Sequence, residues 1–218
     1  MKNLKISLSA FSFLAALVFF GCDNSVTEDQ TPLKGPEMGL RLSTMTDDGK
    51  VLDTETTTPI LNKKSINSKS RLATDLAVTG EFNTPSGNFY DFSAVMNSSG
   101  IRGEMVVDHT LAGRIESETI CVSNVDNEAI FAVLLTSVET PIGALQENNI
   151  VFIKVTDNGE GKNSDPDQRS DILLIFFDWF NFYETPEDFL VDFPCSAVFD
   201  NPNFVGFTDI EEGQVQVR

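Results

Sequence analysis

The stretch "RIESETICVS", residues Arg114 to Ser123, decides the fold class. Successive side chains of a β-strand point to opposite faces, so every second residue shares a face. Its alternate positions form two different faces: Ile115, Ser117, Thr119 and Cys121 on one, and Glu116, Glu118 and Ile120 on the other. This two-residue period predicts a strand, because a helix would repeat about every 3.6 residues.

Eight further runs of 6 to 10 residues, rich in Val, Ile, Phe and Thr, flank this stretch. They cover residues 75–82, 88–96, 101–108, 128–137, 148–156, 170–177, 203–209 and 213–218. Turn-forming segments such as "TPSG" and "NSSG" separate them, and none shows a helical stripe. Parallel crossovers would need helices. Residues 72–218 are therefore predicted to form an all-β domain, either an antiparallel β-barrel or a two-sheet β-sandwich of about nine strands.

The N-terminus reads "MKNLKISLSAFSFLAALVFFGC", a basic start, an apolar run and a small residue before Cys22. This layout is typical of an export signal and is too short for a membrane-spanning helix. "FFGC" resembles the lipobox of bacterial lipoproteins, which implies a signal peptide at residues 1–21 and lipid on Cys22. Phe19 departs from the usual leucine, and the alternative is a plain secretory signal with a chance cysteine. The first interpretation predicts an extracytoplasmic protein, anchored by lipid at the outer membrane or the periplasmic face.

Residues 22–71 are rich in Ser, Thr, Asp and Lys and show no sustained hydrophobic period. Such a segment cannot bury enough apolar area to offset the entropy of ordering it. It is predicted to be a flexible polar linker. The short segment "LRLSTM", residues 40–45, leaves open that part of the linker docks on the domain.

The charge of the chain limits its partners. The formal net charge is −18, and loss of the two lysines in residues 1–21 takes it to −20. A protein this acidic gains nothing from counterion release on DNA or RNA, so a nucleic-acid partner is excluded. Anionic lipid head groups are excluded by the same argument, which leaves the lipid as the contact with the membrane.

Two cysteines are left once Cys22 is assigned to lipid. An even remainder in an exported protein favours a disulfide, here between Cys121 and Cys195. The bridge would close a loop of about 75 residues and contribute roughly 4.5 kcal/mol by chain entropy. The alternative is two buried free thiols.

The acidic segment "VTDNGEGKNSDPDQRSD", residues 155–171, separates two hydrophobic runs. No frame of it places oxygen ligands and glycine where an EF-hand requires them. Two interpretations remain. The segment is a structural turn, in which Asp side chains cap their own backbone, or it holds an irregular calcium site. The calcium ligands would be Asp157, Glu160, Asp165 and Asp167.

The aromatic run "LLIFFDWFNFYETPEDF", residues 173–189, is the strongest candidate for ligand binding. Strict alternation puts Ile175, Phe177 and Trp179 on one face, and Phe176 and Phe180 on the other. Both faces are apolar, as in a strand covered on each side. Aromatic residues beyond the strand end can stack on a sugar or line an apolar pocket, or instead plug the end of a barrel. Four residues occupy this position: Trp179, Phe180, Phe182 and Tyr183.

No catalytic signature appears in the sequence. His109, the only histidine, lies in "VVDHTLAG" and is predicted to be a solvent-exposed hairpin-turn residue. No G-x-S-x-G elbow and no phosphate-binding glycine loop accompanies it. The cysteine spacing does not suit zinc. The chain is therefore predicted to be non-enzymatic and to need no cofactor.

Four blocks of the sequence occur in an order shared with a recurrent secreted bacterial domain. They are "YDFSAVMNSSGIRGEMVVD", "ETICVSNVDNEAIFAVLL", "IVFIKVTDNGEGKNSDPDQRS" and "PCSA" followed by "GQVQVR". The chain resembles this group over about residues 76–218, and the segment V-x-DNGEG-x4-PDQ-x-S is its most specific element. The resemblance implies a β-fold and a pairing of Cys121 with Cys195, and it supplies no activity.

These observations favour a non-catalytic, lipid-anchored interaction or surface module outside the cytoplasm. The alternative is a small-ligand or glycan-binding barrel that uses the aromatic residues near Trp179. A hydrolase built from acidic residues alone is a third hypothesis. The partner would be a glycan, an apolar ligand or an envelope protein.

Overall fold

The computed structural model describes residues 40–57, 75–160, 164–204 and 206–218. Its strands form one antiparallel sheet that curls into a half-barrel. The twelve strands are β1 (Leu40–Thr46), β2 (Val51–Thr57), β3 (Leu76–Asn83), β4 (Phe89–Asn97), β5 (Gly100–His109), β6 (Gly113–Val125), β7 (Glu128–Val138), β8 (Ile150–Thr156), β9 (Gln168–Ser170), β10 (Ile172–Phe177), β11 (Phe207–Asp209) and β12 (Glu212–Val217). The predicted signal peptide, residues 1–21, and the predicted lipid site, Cys22, lie outside the described residues.

The strands follow one another in the order β12-β3-β4-β5-β6-β7-β8-β10-β1-β2, with β9 beside β8 and β11 beside β9. Strands β3 through β8 pair in sequence order, with short turns up to β7 and a longer loop at residues 139–149 between β7 and β8. The prediction of an all-β antiparallel domain is confirmed. The domain takes the form of a single curled sheet.

Strands β1 and β2 correct the predicted domain boundary at residue 72. They lie within the segment 22–71, yet β1 pairs with β10 and β2 pairs with β1. Leu40, Leu42 and Met45 of β1 are at most 2% exposed. The linker prediction is therefore wrong for residues 40–57, and the docking that the sequence leaves open for residues 40–45 is what the structure shows. Composition alone does not reveal a strand whose partner lies about 130 residues further along the chain.

The inner core occupies the concave face of the sheet. Side chains from strands far apart in the sheet order, such as Val215 of β12 and Ile175 of β10, belong to the same buried cluster. Its other large members include Phe82, Tyr90, Phe92, Met105, Phe131 and Ile153. The rings of Phe92 and Phe131 stack at 4.6 Å between centroids. The inner core therefore packs together strands from distant parts of the curled sheet.

The outer core lies on the opposite face, under a helical segment that follows β10. The segment contains a 3-10 turn (Trp179–Asn181), α1 (Pro186–Asp192) and α2 (Cys195–Val198). The outer core includes Leu40, Leu42, Ile130, Phe152, Leu174, Phe176, Trp179, Phe189 and Phe193. Strand β10 is thus covered on each side, as its sequence predicts.

Helix α1 was not foreseen, although the sequence carries a start signal. The Thr185 hydroxyl accepts a hydrogen bond from the Asp188 amide at 3.2 Å, and Pro186 occupies the first helical turn. This is the capping pattern expected at a helix N-terminus. The helix is only seven residues long, so its stability depends on Phe189, which is fully buried in the outer core.

A β-bulge in β6 aims Cys121 at the outer core. The pairing of β6 with β7 shifts register between Thr119 and Cys121. The alternation therefore reverses: Ile115 and Val122 face the inner core, and Cys121 faces the outer core. The predicted shared face of Ile115 and Cys121 is wrong for this reason. Cys121 forms a disulfide with Cys195, with 5.9 Å between their Cα atoms, which ties α2 to the sheet.

Candidate binding site

A cleft opens where the inner face of the sheet meets the loop between β7 and β8. We call it the Phe180 cleft. Its volume is about 380 Å³, and its lining includes Arg41, Gln146, Glu147, Phe177, Asp178 and Phe180. Volumes from 300 to 1,000 Å³ are typical of small-ligand sites.

The pairing of β1 with β10 places the charged group of the cleft. Arg41 lies directly opposite Phe177, and Ser43 opposite Ile175, so these side chains share the inner face. The Arg41 guanidinium stands 4.3 Å from the centre of the Phe177 ring. It also forms an ion pair with Asp178, which follows β10. Two contacts thus fix the plane of the guanidinium.

Asp178 follows the end of β10 and begins the 3-10 turn at Trp179–Asn181. Its φ is 63°, in the left-handed region that only a few per cent of non-glycine residues adopt. The alternation of β10 therefore does not continue past Phe177. Trp179 turns into the outer core, away from Ile175 and Phe177, and Phe180 is 52% exposed. The predicted shared face of Ile175, Phe177 and Trp179 is wrong beyond the strand end.

Trp179 is sealed in the protein. It is 6% exposed, its ring packs against Phe189, and its indole Nε1 donates to the Asn148 carbonyl oxygen. The prediction that Trp179 contacts a ligand is therefore corrected. Asn148 precedes Asn149, which lines the Phe180 cleft, so the indole is coupled to the cleft through one loop.

Tyr183 and Phe182 do not line the cleft either. The Tyr183 hydroxyl donates to Asp192 at 2.9 Å, and its ring contacts Phe189 edge-on. Burial and the adjacent Asp192 carboxylate raise the pKa of Tyr183. Phe182 is 45% exposed. Of the four predicted aromatic residues, only Phe180 belongs to the cleft.

Sequence reasoning missed the cleft residues that lie outside the aromatic run 173–189. Arg41 lies in the segment interpreted as linker, and Gln146 and Glu147 lie in a loop between two predicted strands. Long-range strand pairing brings them beside Phe180. Only the unusual run of aromatic residues after β10 gave a signal near this site.

The acidic segment after β8 secures the terminal strand. The Asp157 carboxylate accepts hydrogen bonds from the Val217 and Gly159 amides. The Asp167 carboxylate accepts from the Val215 and Asn158 amides. Strand β12 pairs with β3 on one side, so the two aspartates satisfy amides on its other side. Through these two aspartates the segment covers a sheet edge, in agreement with the structural-turn interpretation.

The predicted calcium site does not assemble. Glu160 accepts from the Gln216 side chain, and Asp165 is exposed. Asp157 and Asp167 are engaged with β12. Within residues 40–57, 75–160, 164–204 and 206–218, no group of three or more His, Cys, Asp or Glu side chains is placed to hold a metal ion.

A buried polar network joins the β1–β2 turn and the β3–β4 turn to strands β4 and β9. Asp47 pairs with Arg169 at 3.3 Å, and both side chains are 7% exposed. The Tyr90 hydroxyl donates to Asp47 at 2.8 Å, and the Ser86 hydroxyl donates to the same carboxylate. The Asn88 side chain donates to the Asp47 carbonyl oxygen at 2.8 Å. This buried ion pair is therefore hydrogen-bonded on several sides, as its burial requires.

The network shifts the pKa of both acidic members. Burial alone would raise the pKa of Asp47, but Arg169 and hydrogen bonds from the turn at 84–88 outweigh it, so the pKa is lowered. Burial and the Asp47 charge raise the pKa of Tyr90 well above its ordinary value. At neutral pH the network therefore holds an ionised Asp47 and a protonated Tyr90.

His109 is buried, which corrects the prediction of an exposed turn residue. It is 4% exposed, and its Nδ1 accepts hydrogen bonds from the Leu111 and Ala112 amides, each at 3.1 Å. The proton of the neutral ring must therefore be on Nε2. Burial lowers the pKa of His109 against the opposing effect of Asp47. The histidine serves as the acceptor that holds the β5–β6 turn.

Among the described residues, no helix is long and apolar enough to cross a membrane. Comparison with known proteins adds no relative, since no family model, no curated protein and no solved structure matches this chain.

Proposed function

We propose that this protein is a lipid-anchored extracytoplasmic β-domain that acts as a non-catalytic binding module. The observation that carries the proposal is the Phe180 cleft, an accessible depression beside a half-exposed aromatic ring. Exposed aromatic groups at the edge of a cleft are typical of binding surfaces. The anchor rests on the lipobox-like sequence that ends in Cys22.

The non-catalytic role is supported by the use of reactive groups within the fold. His109 accepts two turn amides, and Asp47 is bonded to Arg169 and Tyr90. A general base must instead reach the proton of a substrate. Cys121 is engaged in a disulfide. These groups therefore act on the stability of the domain.

The anchor is tested by labelling cells with an alkyne analogue of palmitate. The full chain is expected to take up the label and to partition into the detergent phase. Cys22→Ser is the matched control, and it should lose both properties. Equal labelling of the two chains would place the lipid on a residue other than Cys22, and no label in either would leave a secreted protein without a lipid anchor.

The contact site is tested by photo-crosslinking on intact cells. Benzoylphenylalanine replaces Phe180 in the full chain, and a second variant carries it at Val191, which is 79% exposed and outside the cleft. Adducts specific to position 180 are expected. If both positions give the same adducts, the cleft is not the contact site.

A further inference from the structure

The ring of Phe180 contacts the protein on one side and is exposed to solvent on the other. It meets Trp179 edge-on, with 6.2 Å between centroids and 77° between planes. Trp179 is itself fixed by the outer core and by Asn148. About half of the Phe180 surface is nevertheless exposed to solvent. A ligand that covers this apolar surface gains free energy without having to order the ring first.

Fixed hydrogen-bond donors lie beside this ring. The Arg41 guanidinium is stacked on Phe177 and paired with Asp178, yet its side chain is 49% exposed. A guanidinium has five N–H donors, and one carboxylate engages at most two of them in a bidentate pair. Arg41 therefore retains donors for a ligand, in a plane that its protein contacts define.

The lining of the Phe180 cleft also contains hydrogen-bond acceptors. Gln146 donates through Nε2 to the Gly143 carbonyl oxygen at 2.9 Å, which orients its side-chain oxygen. Glu147 and Asp178, which each carry a carboxylate, are also lining residues of the cleft. Donors and acceptors thus occur together around one aromatic ring, which is the combination that a ligand rich in hydroxyl groups requires.

The charges of the cleft disfavour an anionic ligand. Asp178 neutralises Arg41, and Glu147 adds a negative charge. The chain as a whole carries a net charge of −18. An anion would therefore meet repulsion over most of its approach.

The inner core disfavours a fatty acyl chain. The enclosed space within it, between Met105, Leu135 and Leu173, measures only about 10 Å³. This is close to the volume that a single water molecule needs. In the part of the chain that the structure describes, this space is too small to hold an acyl tail.

We infer that the Phe180 cleft binds a neutral saccharide of one or two rings. The apolar face of a sugar ring would stack on Phe180, and its hydroxyl groups would bond to Arg41, Asp178 and Gln146. The cleft volume of about 380 Å³ suits a ligand of this size. The inference rests on the proposed function, because it names the ligand of the same site.

The test titrates the full chain with maltose, cellobiose and diacetylchitobiose, using sialyllactose and oleate as charged comparisons. The sole tryptophan, Trp179, reports binding through Asn148, and calorimetry gives the affinity independently. Saturable binding of a neutral disaccharide is expected, with sialyllactose and oleate binding more weakly.

Two neighbouring phenylalanines provide matched variants. Phe180→Ala is expected to weaken saccharide binding about tenfold, because it removes the stacking surface. Phe182→Ala should leave the affinity within about twofold, since Phe182 is similarly exposed but outside the cleft. Both side chains are half-exposed, so both variants should fold, as thermal unfolding would check. Arg41→Lys keeps the charge, loses the planar fork, and should also weaken binding.

The outcomes separate the inference from the proposed function. Saccharide binding that depends on Phe180 and not on Phe182 supports both. Equal affinity in the two variants overturns the saccharide site in the cleft. Failure of all neutral saccharides, with position-specific crosslinks from residue 180, overturns the ligand class and leaves the binding module standing. Failure of both experiments overturns both.

Discussion

Two arginine–aspartate pairs bracket strand β1, and their surroundings differ sharply. At its beginning, Arg41 pairs with Asp178, and the two side chains are 49% and 29% exposed. Just past its end, Asp47 pairs with Arg169, and both side chains are 7% exposed. The two pairs stand roughly 20 Å apart along the strand. The same type of ion pair therefore occurs once at the solvent-exposed surface and once in the protein interior.

The comparison shows how burial assigns the role of a charged pair. The buried pair, Asp47 and Arg169, is surrounded by hydrogen bonds from Ser86, Tyr90 and Asn88. It therefore links neighbouring segments of the fold and is not accessible to a ligand. The exposed pair, Arg41 and Asp178, lies beside Phe180 in an open cleft. Strand β1 supplies Arg41 of the first pair, and Asp47 of the second directly follows the strand. The segment 41–47 therefore contributes both to the stability of the domain and to its candidate site.

Deletion of residues 40–57 should have the largest effect, because it removes both pairs at once. It also removes Leu40, Leu42 and Met45, each worth about 1.5–3 kcal/mol of burial. The total approaches the 5–15 kcal/mol stability of a typical domain. The shortened chain is expected to show no cooperative thermal unfolding by circular dichroism.

The control deletes residues 23–36, which belong to the segment that the sequence predicts to be linker. This chain should unfold at the same temperature as the full protein. A deletion of 40–57 that unfolds cooperatively near the wild-type temperature would show that β1 is dispensable for the domain.

Arg169→Met should cause the second-largest loss of stability, after the deletion of residues 40–57. It leaves the Asp47 carboxylate buried without its partner, which typically costs about 3–5 kcal/mol. Arg41→Met is the matched variant, and loss of its exposed pair should cost no more than about 1 kcal/mol. Urea unfolding of the two variants measures both values. Equal losses would contradict the contrast between the pairs.

The buried histidine near Asp47 predicts a further loss of stability in acid. Its folded-state pKa lies below the unfolded value of 6.5, so the unfolded chain takes up the proton first. Stability is therefore complete above pH 6.5 and falls as the pH decreases below it. The loss from Asp47, whose pKa is lowered from 3.8, begins separately below that value. Urea unfolding at a series of pH values should resolve the two windows.

His109→Asn separates this effect from general acid unfolding. The asparagine oxygen can accept the two turn amides in place of Nδ1 without titrating. The variant should keep most of its stability at neutral pH and show a flat profile between about pH 7 and pH 5. An unchanged slope in the variant would assign the loss to another group.

The sequence predicts the strands that pair with their neighbours and misses what distant contacts determine. Period-two runs identified β3 to β8, because hairpins and alternation are local properties. The sequence leaves open the docking of residues 40–45 on the domain, but the partner strand could not be predicted, since the pairing of β1 with β10 is long-range. The bulge before Cys121 and the turn at Asp178 reversed the expected faces. For the cleft, alternation identified neither Arg41 nor the true orientation of Trp179.

The smallest expected effect concerns two exposed charges of the same sign. Glu104 and Glu118 lie directly opposite each other on β5 and β6, and like charges in this position are destabilising. Glu118→Lys converts the pair into an attractive one and should stabilise the domain by about 0.2–1 kcal/mol. Glu81→Lys, on the exposed surface opposite Asp91, is a second pair of the same kind and should behave alike. Urea unfolding at low and high salt measures the gain, which screening should reduce. A gain as large as the loss in Arg169→Met would mean that exposure does not limit charge interactions in this domain, and the contrast between its two arginine pairs would lose its physical basis.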